Sequence, residues 1–264
     1  MSRQRYLRFS LSDRLEHIAQ IVAFTALAVT GIPQRYPGAG ISRTLIDWMG
    51  GIESVRIIHR IFATVLMVAV VYHLGAIAYR KYVQRRPAEM LPSKADAAAA
   101  AHSMRYLVGR ESGPAPQGRF TWEEKVEYFA LVWGTLVMIV SGFLLWNPVA
   151  TTALFPGEFV PAAKVFHSGE ALLAVLAVIV WHFYHVHIRS FNTSMFTGYL
   201  SRKDMEHEHA LELARIERGE SFAPPRDEAA RRRARVFFPA FGAIAAVLGV
   251  GIFLFVSFED TAIA

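Results

Sequence analysis

Residues 165–189 read VFHSGEALLAVLAVIVWHFYHVHIR, a run long enough to cross a bilayer that still carries His167 near one end and His182, His185 and His187 near the other. A spanning helix of about 20 apolar residues satisfies its own backbone in lipid. An ionisable side chain inside such a span is costly and marks a functional site by default. His167 and His182 are 15 residues apart, which on an α-helix is about 22 Å of rise and about 60° past four turns. Residues 55–80 repeat the pattern with His59 and His73, 14 residues apart, or about 21 Å of rise and about 40° short of four turns. Two spans therefore each offer imidazole at two depths, near opposite faces of an apolar core about 30 Å thick.

Three further apolar runs complete the pattern. The expected spans are residues 13–32, 55–80, 124–146, 163–188 and 236–257, and the expected fold is an all-α membrane protein: a four-helix transmembrane bundle plus a fifth, C-terminal transmembrane helix. Residues 1–12 are expected as a cytoplasmic N-terminus, 13–190 as the bundle, 191–235 as a charged cytoplasmic linker that is helical in part, and 236–264 as a plain anchor. The patch Leu45–Met49 reads as an interfacial amphipathic segment anchored by Trp48. Residues 81–121, with an alanine run and the piece GPAPQG, read as partly helical and partly flexible. Basic residues crowd the N-terminus (Arg3, Arg5, Arg8), the 81–121 loop and the 189–235 loop. The 147–162 loop and the acidic tail with Glu259 and Asp260 have none. By the positive-inside rule the N-terminus is cytoplasmic and the C-terminus outside. The same rule accounts for the net charge of +6, so membrane lipid rather than nucleic acid is the expected surroundings.

The chain has no cysteine, which excludes disulfides, thiolate-held iron–sulfur clusters and covalent c-type haem attachment. Histidine remains as the soft-metal ligand. Haem iron held by one imidazole from each of two helices fits the layout, with the second ring nitrogen of each held by an acceptor. His59 and His167 lie at one level and make an outer pair. An inner pair needs His182 with His17 or His73. With both axial positions filled by protein, such a haem passes electrons and offers no site to substrate. Arg56 and Arg60 flank His59, and Arg14, Arg80 and Arg189 stand at the inner edge. These arginines suit propionates, and equally suit the ordinary role of snorkelling anchors.

The residues resemble a family at this point. Asp13-Arg14-x-x-His17 opens the first span, Arg56-Ile57-Ile58-His59 the second, and His167 through His182-Phe183-Tyr184 lies in the fourth. Together, over residues 10 to about 205, they are similar to the cytochrome b (gamma) subunit of formate dehydrogenases and, more broadly, the b-type anchor subunits of Ni-Fe hydrogenases and thiosulfate reductases. The resemblance implies two b haems, the outer held by His59 and His167 and the inner by His17 and His182. It also implies menaquinone or ubiquinone beside the inner haem, residence in the bacterial inner membrane, and a periplasmic redox partner that is an iron–sulfur or multihaem c-type cytochrome subunit. Three features depart from it. The span 4 spacing is 15 where the formate dehydrogenase type has 14, His73 is an additional intramembrane histidine, and the fifth span is extra. The 14-and-15 pair of spacings resembles instead the cytochrome b and b6 of quinol–cytochrome c oxidoreductases, where His73 and His182 would hold the inner haem. A third haem on His73 and His185 is a further arrangement. The Asp-Arg-x-x-His run favours His17.

Other readings attach to single residues. A lone intramembrane histidine is ordinarily interhelical hydrogen-bonding glue, a reading that suits His73 and His185 singly. His102, His187, His207 and His209 read as solvated or interfacial. The run Glu206-His207-Glu208-His209 is a candidate metal cluster or a charged helix face. Glu127 and Tyr128 are candidate quinol-side groups, and Glu170, one turn after His167, is the more buried acid. A transporter would show broken spans and polar midplane groups, whereas here the midplane is apolar. A pure membrane anchor with structural histidines is the remaining alternative.

Overall fold

The computed structural model describes residues 4–220 and 227–257; Arg3 and the acidic tail with Glu259 and Asp260 lie outside them. The described residues are almost entirely helical: α1 (Leu11–Arg35), α2 (Gly40–Trp48), α3 (Ile52–Tyr82), α4 (Lys94–Leu107), α5 (Trp122–Trp146), α6 (Pro148–Leu154), α7 (Phe159–Ala177), α8 (Ser194–Thr197), α9 (Arg202–Glu208), α10 (Ala210–Glu217) and α11 (Glu228–Ser257). Two short strands, β1 (Arg5–Leu7) and β2 (Tyr199–Ser201), complete the set. Beyond Ala177, α7 continues as two π-helical stretches, Val178–His182 and Tyr184–Arg189. Among the described residues, five helices are long and apolar enough to cross a membrane: α1, α3, α5, the span Phe159–Arg189, and α11. Their large apolar side chains point outward. Val165 is 68% exposed, Val180 69% and Val247 72%, a surface that water would not tolerate and lipid would.

The chain divides into two compact units. The first comprises Met1–Arg14, Ala76–Ala130 and Phe191–Phe238. Four helices start here on reciprocal caps, in which a hydroxyl accepts from the third residue's N–H and that residue's carboxylate accepts in return. Ser10 and Asp13 do this at α1, Ser93 and Asp96 at α4, and Ser201 and Asp204 at α9. Thr121 and Glu124 do the same at α5. β1 pairs antiparallel with β2, with Tyr6 opposite Leu200. Behind the pair lies a small core of Tyr6, Leu200, Met205 and Leu213. The N-terminus and the segment expected as a charged linker thus fold against each other. No strand was anticipated there, because three-residue strands leave no readable alternation.

Buried charge in this unit is paired. Arg8, 3% exposed, meets both oxygens of Glu124 at 3.1 Å. Arg119 donates to the Arg8 carbonyl at 2.9 Å and stands 3.7 Å and 3.8 Å from Glu89 and Glu212. Lys125 reaches Asp96 at 2.8 Å. Pairing is what makes such burial tolerable. His209, expected at the surface, is instead 1% exposed, its Nδ1 hydrogen-bonded to the Gly118 carbonyl at 2.9 Å. The charged letters around it hid a turn between α9 and α10 that points this one ring inward.

The second unit comprises Leu15–Gly75, Leu131–Ser190 and Pro239–Ala264. Within it α1 packs on α3, α5 on α7, and α7 touches both α1 and α3 through the histidines described below. The fifth helix docks here too. Phe241 of α11 lies where a Cβ on Gly75 of α3 would stand, and Phe255 packs on Phe143 and Trp146 of α5, with ring centres 4.4 Å and 5.4 Å away.

Candidate functional site

Two imidazole pairs form inside the second unit. His59 of α3 faces His167 of α7 with ring centres 6.4 Å apart and planes at 67°. His17 of α1 faces His182, in the π-helical part of the same span, at 6.2 Å and 39°. Fifteen residues separate His167 from His182 along the fourth span, so the pairs occupy two levels about 20 Å apart.

The π-helical stretch explains how one helix serves both levels. In a regular α-helix, His182 would lie about 60° past four turns from His167. The Phe183 N–H instead reaches back five residues to the Val178 carbonyl. A turn closed by an i→i+5 bond takes in one more residue than an α-turn. Such a turn takes up much of the phase difference between His167 and His182.

Behind the outer pair, each Nδ1 meets a hydroxyl: His59 meets Thr30 Oγ1 at 2.8 Å, and His167 meets Ser141 Oγ at 2.9 Å. Gly31 and Gly142 adjoin those hydroxyl residues, and each backs the Cε1 edge of the same ring. His73 is engaged differently, its Nδ1 sharing a hydrogen bond with Glu16 Oε2 at 2.6 Å. The His185 Nδ1 donates to the carbonyl of Trp181 in its own helix at 2.8 Å. The structure thus brings His17 to His182 and gives His73 a carboxylate partner.

The arginines divide as well. Arg60 lies over the Trp146 ring at 5.1 Å, and Arg56 pairs with Glu53 at 2.6 Å. In the first unit Arg80 binds Asp13 at 2.5 Å, and the Arg14 guanidinium donates to the Phe196 carbonyl. The Asp-Arg portion of the Asp13-Arg14-x-x-His17 run therefore holds the entry of α1. Glu170 lies against Gly134, where an added Cβ would stand 2.6 Å from its Oε1. Among the described residues, no three His, Asp or Glu side chains converge as a metal site, so Glu206-His207-Glu208-His209 forms none.

The paired rings suit haem iron. Two metal–imidazole bonds of about 2.0 Å, with the about 1.1 Å from nitrogen to ring centre on each side, set ring centres about 6.2 Å apart. Direct aromatic packing spans about 4.5–7 Å, so separation alone does not decide the matter. The hydroxyls behind the outer rings do more, because they leave each Nε2 free to ligate. Thr30, Ser141, Gly31, Gly142 and Glu16 were not singled out from the sequence. The available signal was Val-Thr-Gly at 29–31 recurring as Val-Ser-Gly at 140–142.

Fold and site together describe a multi-span helical membrane protein with two inward-facing histidine pairs. Comparison with known proteins points the same way. Over 222 residues, 84% of this chain and 96% of the relative, it is 21% identical to the cytochrome b556(Fdn) subunit of the nitrate-inducible formate dehydrogenase of Escherichia coli K12. The Shigella flexneri protein of the same name matches equally. The cytochrome b556(fdo) subunit of an E. coli K12 formate dehydrogenase is 22% identical over 199 residues, 75% of this chain and 87% of the relative. No family model matches the chain. The chain is thus a distant relative of formate dehydrogenase cytochrome b subunits.

Proposed function

We propose that this protein is a dihaem b-type cytochrome of the bacterial inner membrane, the electron-transfer subunit of an oxidoreductase complex. The observation that carries the reading is the pair of facing imidazoles at each of two levels, His59 with His167 and His17 with His182. In this reading all four would hold haem iron, presented by three helices. Haem b, when bound, supplies a one-electron Fe(III)/Fe(II) couple at each level. The chain's own part is to hold each imidazole neutral and oriented, to keep water from the apolar midplane, and to space the two levels across the membrane. His73, hydrogen-bonded to Glu16, is placed outside the ligand set.

The excess of Lys and Arg in the N-terminal, 81–121 and 189–235 segments supports an orientation with the His17–His182 level near the cytoplasm and the C-terminus outside. Electrons then pass between a menaquinone or ubiquinone site near the cytoplasmic face and a periplasmic partner, an iron–sulfur or multihaem c-type subunit. The names of the relatives, subunits of formate dehydrogenases, support membership in such a complex.

Purified protein should give a reduced b-type spectrum and about two haems per chain by pyridine haemochrome assay. His17→Ala and His182→Ala should each leave one haem, whereas His73→Ala should keep both. Absence of haem would leave a structural anchor. Loss of haem in His73→Ala with retention in His17→Ala would transfer the inner ligand to His73, as in the cytochrome b and b6 arrangement.

A further inference from the structure

The outer pair is backed by the same three-residue device on two helices. In α1, Thr30 Oγ1 lies 2.6 Å from the carbonyl of Ala26, four residues back; in α5, Ser141 Oγ lies 2.6 Å from the carbonyl of Val137, also four back. A hydroxyl has one proton, and a carbonyl only accepts. That proton is therefore committed to the helix backbone, and the contacts of 2.8 Å and 2.9 Å to the ring nitrogens are accepted from Nδ1–H. Both outer rings are then the same neutral tautomer, with the Nε2 lone pair left for a ligand bond. Each hydroxyl residue is followed by the glycine that backs the ring edge, with a virtual Cβ 3.1 Å from Cε1 of His59 at Gly31 and 3.4 Å from Cε1 of His167 at Gly142.

We propose that Thr30 and Ser141 are positioning residues of the outer haem site, which fix the tautomer of His59 and His167 and set the potential of the iron they hold. This rests on the haem reading above. Accepting Nδ1–H shifts electron density toward Nε2 and makes the imidazole a stronger donor, and a stronger donor favours ferric over ferrous iron. Removing either hydroxyl should therefore raise the outer midpoint potential. The inner site, where neither residue acts, should stay where it is.

The test is a redox titration of the purified protein followed in the haem absorption band, with low-spin EPR of the oxidised form. Thr30→Val and Ser141→Ala should each raise one of the two potentials and shift one EPR signal. A tenfold change in ferric-over-ferrous preference corresponds to about 59 mV for a one-electron couple. Thr30→Ser and Ser141→Thr, which keep the hydroxyl, should hold the native potentials. If Thr30→Val releases the outer haem while Thr30→Ser retains it, the hydroxyl is again the group responsible. Full haem content with both potentials unmoved overturns the proposal, as does loss of haem in Thr30→Ser as well as in Thr30→Val. Native protein without haem overturns the reading beneath it instead.

Discussion

Gly31 and Gly142 set how closely α1 and α5 approach the outer rings, and they differ. A Cβ on Gly31 would stand 3.1 Å from the His59 ring, and one on Gly142 would stand 3.4 Å from His167. The first is a squeeze the ring must yield to; the second is the edge of ordinary contact. Overpacking of this kind costs about 1–3 kcal/mol. With haem held at the outer pair as proposed, Gly31→Ala should therefore speed its transfer to apomyoglobin about tenfold or more, while Gly142→Ala stays near the native rate. Equal rates for the two would mean that the gap of a few tenths of an ångström decides nothing. At this scale the histidines were legible from sequence, because an imidazole in an apolar span is conspicuous. Their supports were not. Thr, Ser and Gly are common in membrane helices for packing reasons alone, and only the partner ring across the helix pair gives Thr30 or Ser141 a task. Glu16 was likewise hidden beside His17 until α1 and α3 were placed together and its partner proved to be His73.

Among the elements, four spans were readable from length and apolarity to within a few residues: 124–146 was expected where α5 runs Trp122–Trp146, and 163–188 where the fourth span runs Phe159–Arg189; the fifth, expected at 236–257, starts eight residues earlier, at Glu228, because its charged first turns carry no apolar signal. The fourth span is instructive. The 15-residue spacing from His167 to His182 looked like a phase error of about 60° on an α-helix, and it stood as a departure from the resembling family. The structure meets it with a π-turn at Val178–His182. Nothing in the letters VIVWH announces a π-turn, because no side chain in them specifies an i→i+5 bond. A length-change experiment follows. Deleting Val180 should let the turn relax to α and leave both histidine pairs facing, so the haem content stays at about two per chain. Inserting one alanine after Val180 rotates His182 by about another 100° and should leave only the outer haem, about one per chain. Two haems after the insertion would mean that the π-turn absorbs any length and carries no register.

For the whole molecule, the unit that holds the histidine pairs and the unit built on β1, β2, α4 and α8–α10 obey different rules. The first satisfies its backbone within helices and holds half-buried imidazoles in pairs. The second buries charge in a network around Arg8, Arg119, Glu124 and Glu212, with His209 enclosed among them. Burial, followed by the nearby Arg8 charge, holds His209 below the ordinary histidine pKa, although Glu124 and Glu208 pull the other way. The sign of the linkage follows. Above about pH 6.5 the ring is neutral in both folded and unfolded chains. As pH falls below that value the unfolded chain takes up a proton that the folded unit refuses, so stability is present at neutral pH and is lost on acidification. The slope for one such group approaches about 1.4 kcal/mol per pH unit between the folded and unfolded pKa values. His209→Gln keeps a donor for the Gly118 carbonyl but cannot titrate. Limited proteolysis of the purified protein should cut this unit progressively faster from pH 7.5 to pH 5 in the native chain, and with a clearly flatter pH dependence in His209→Gln. Matching profiles would show that the acid sensitivity of the unit resides in its carboxylates, and that the buried ring is protonated without cost.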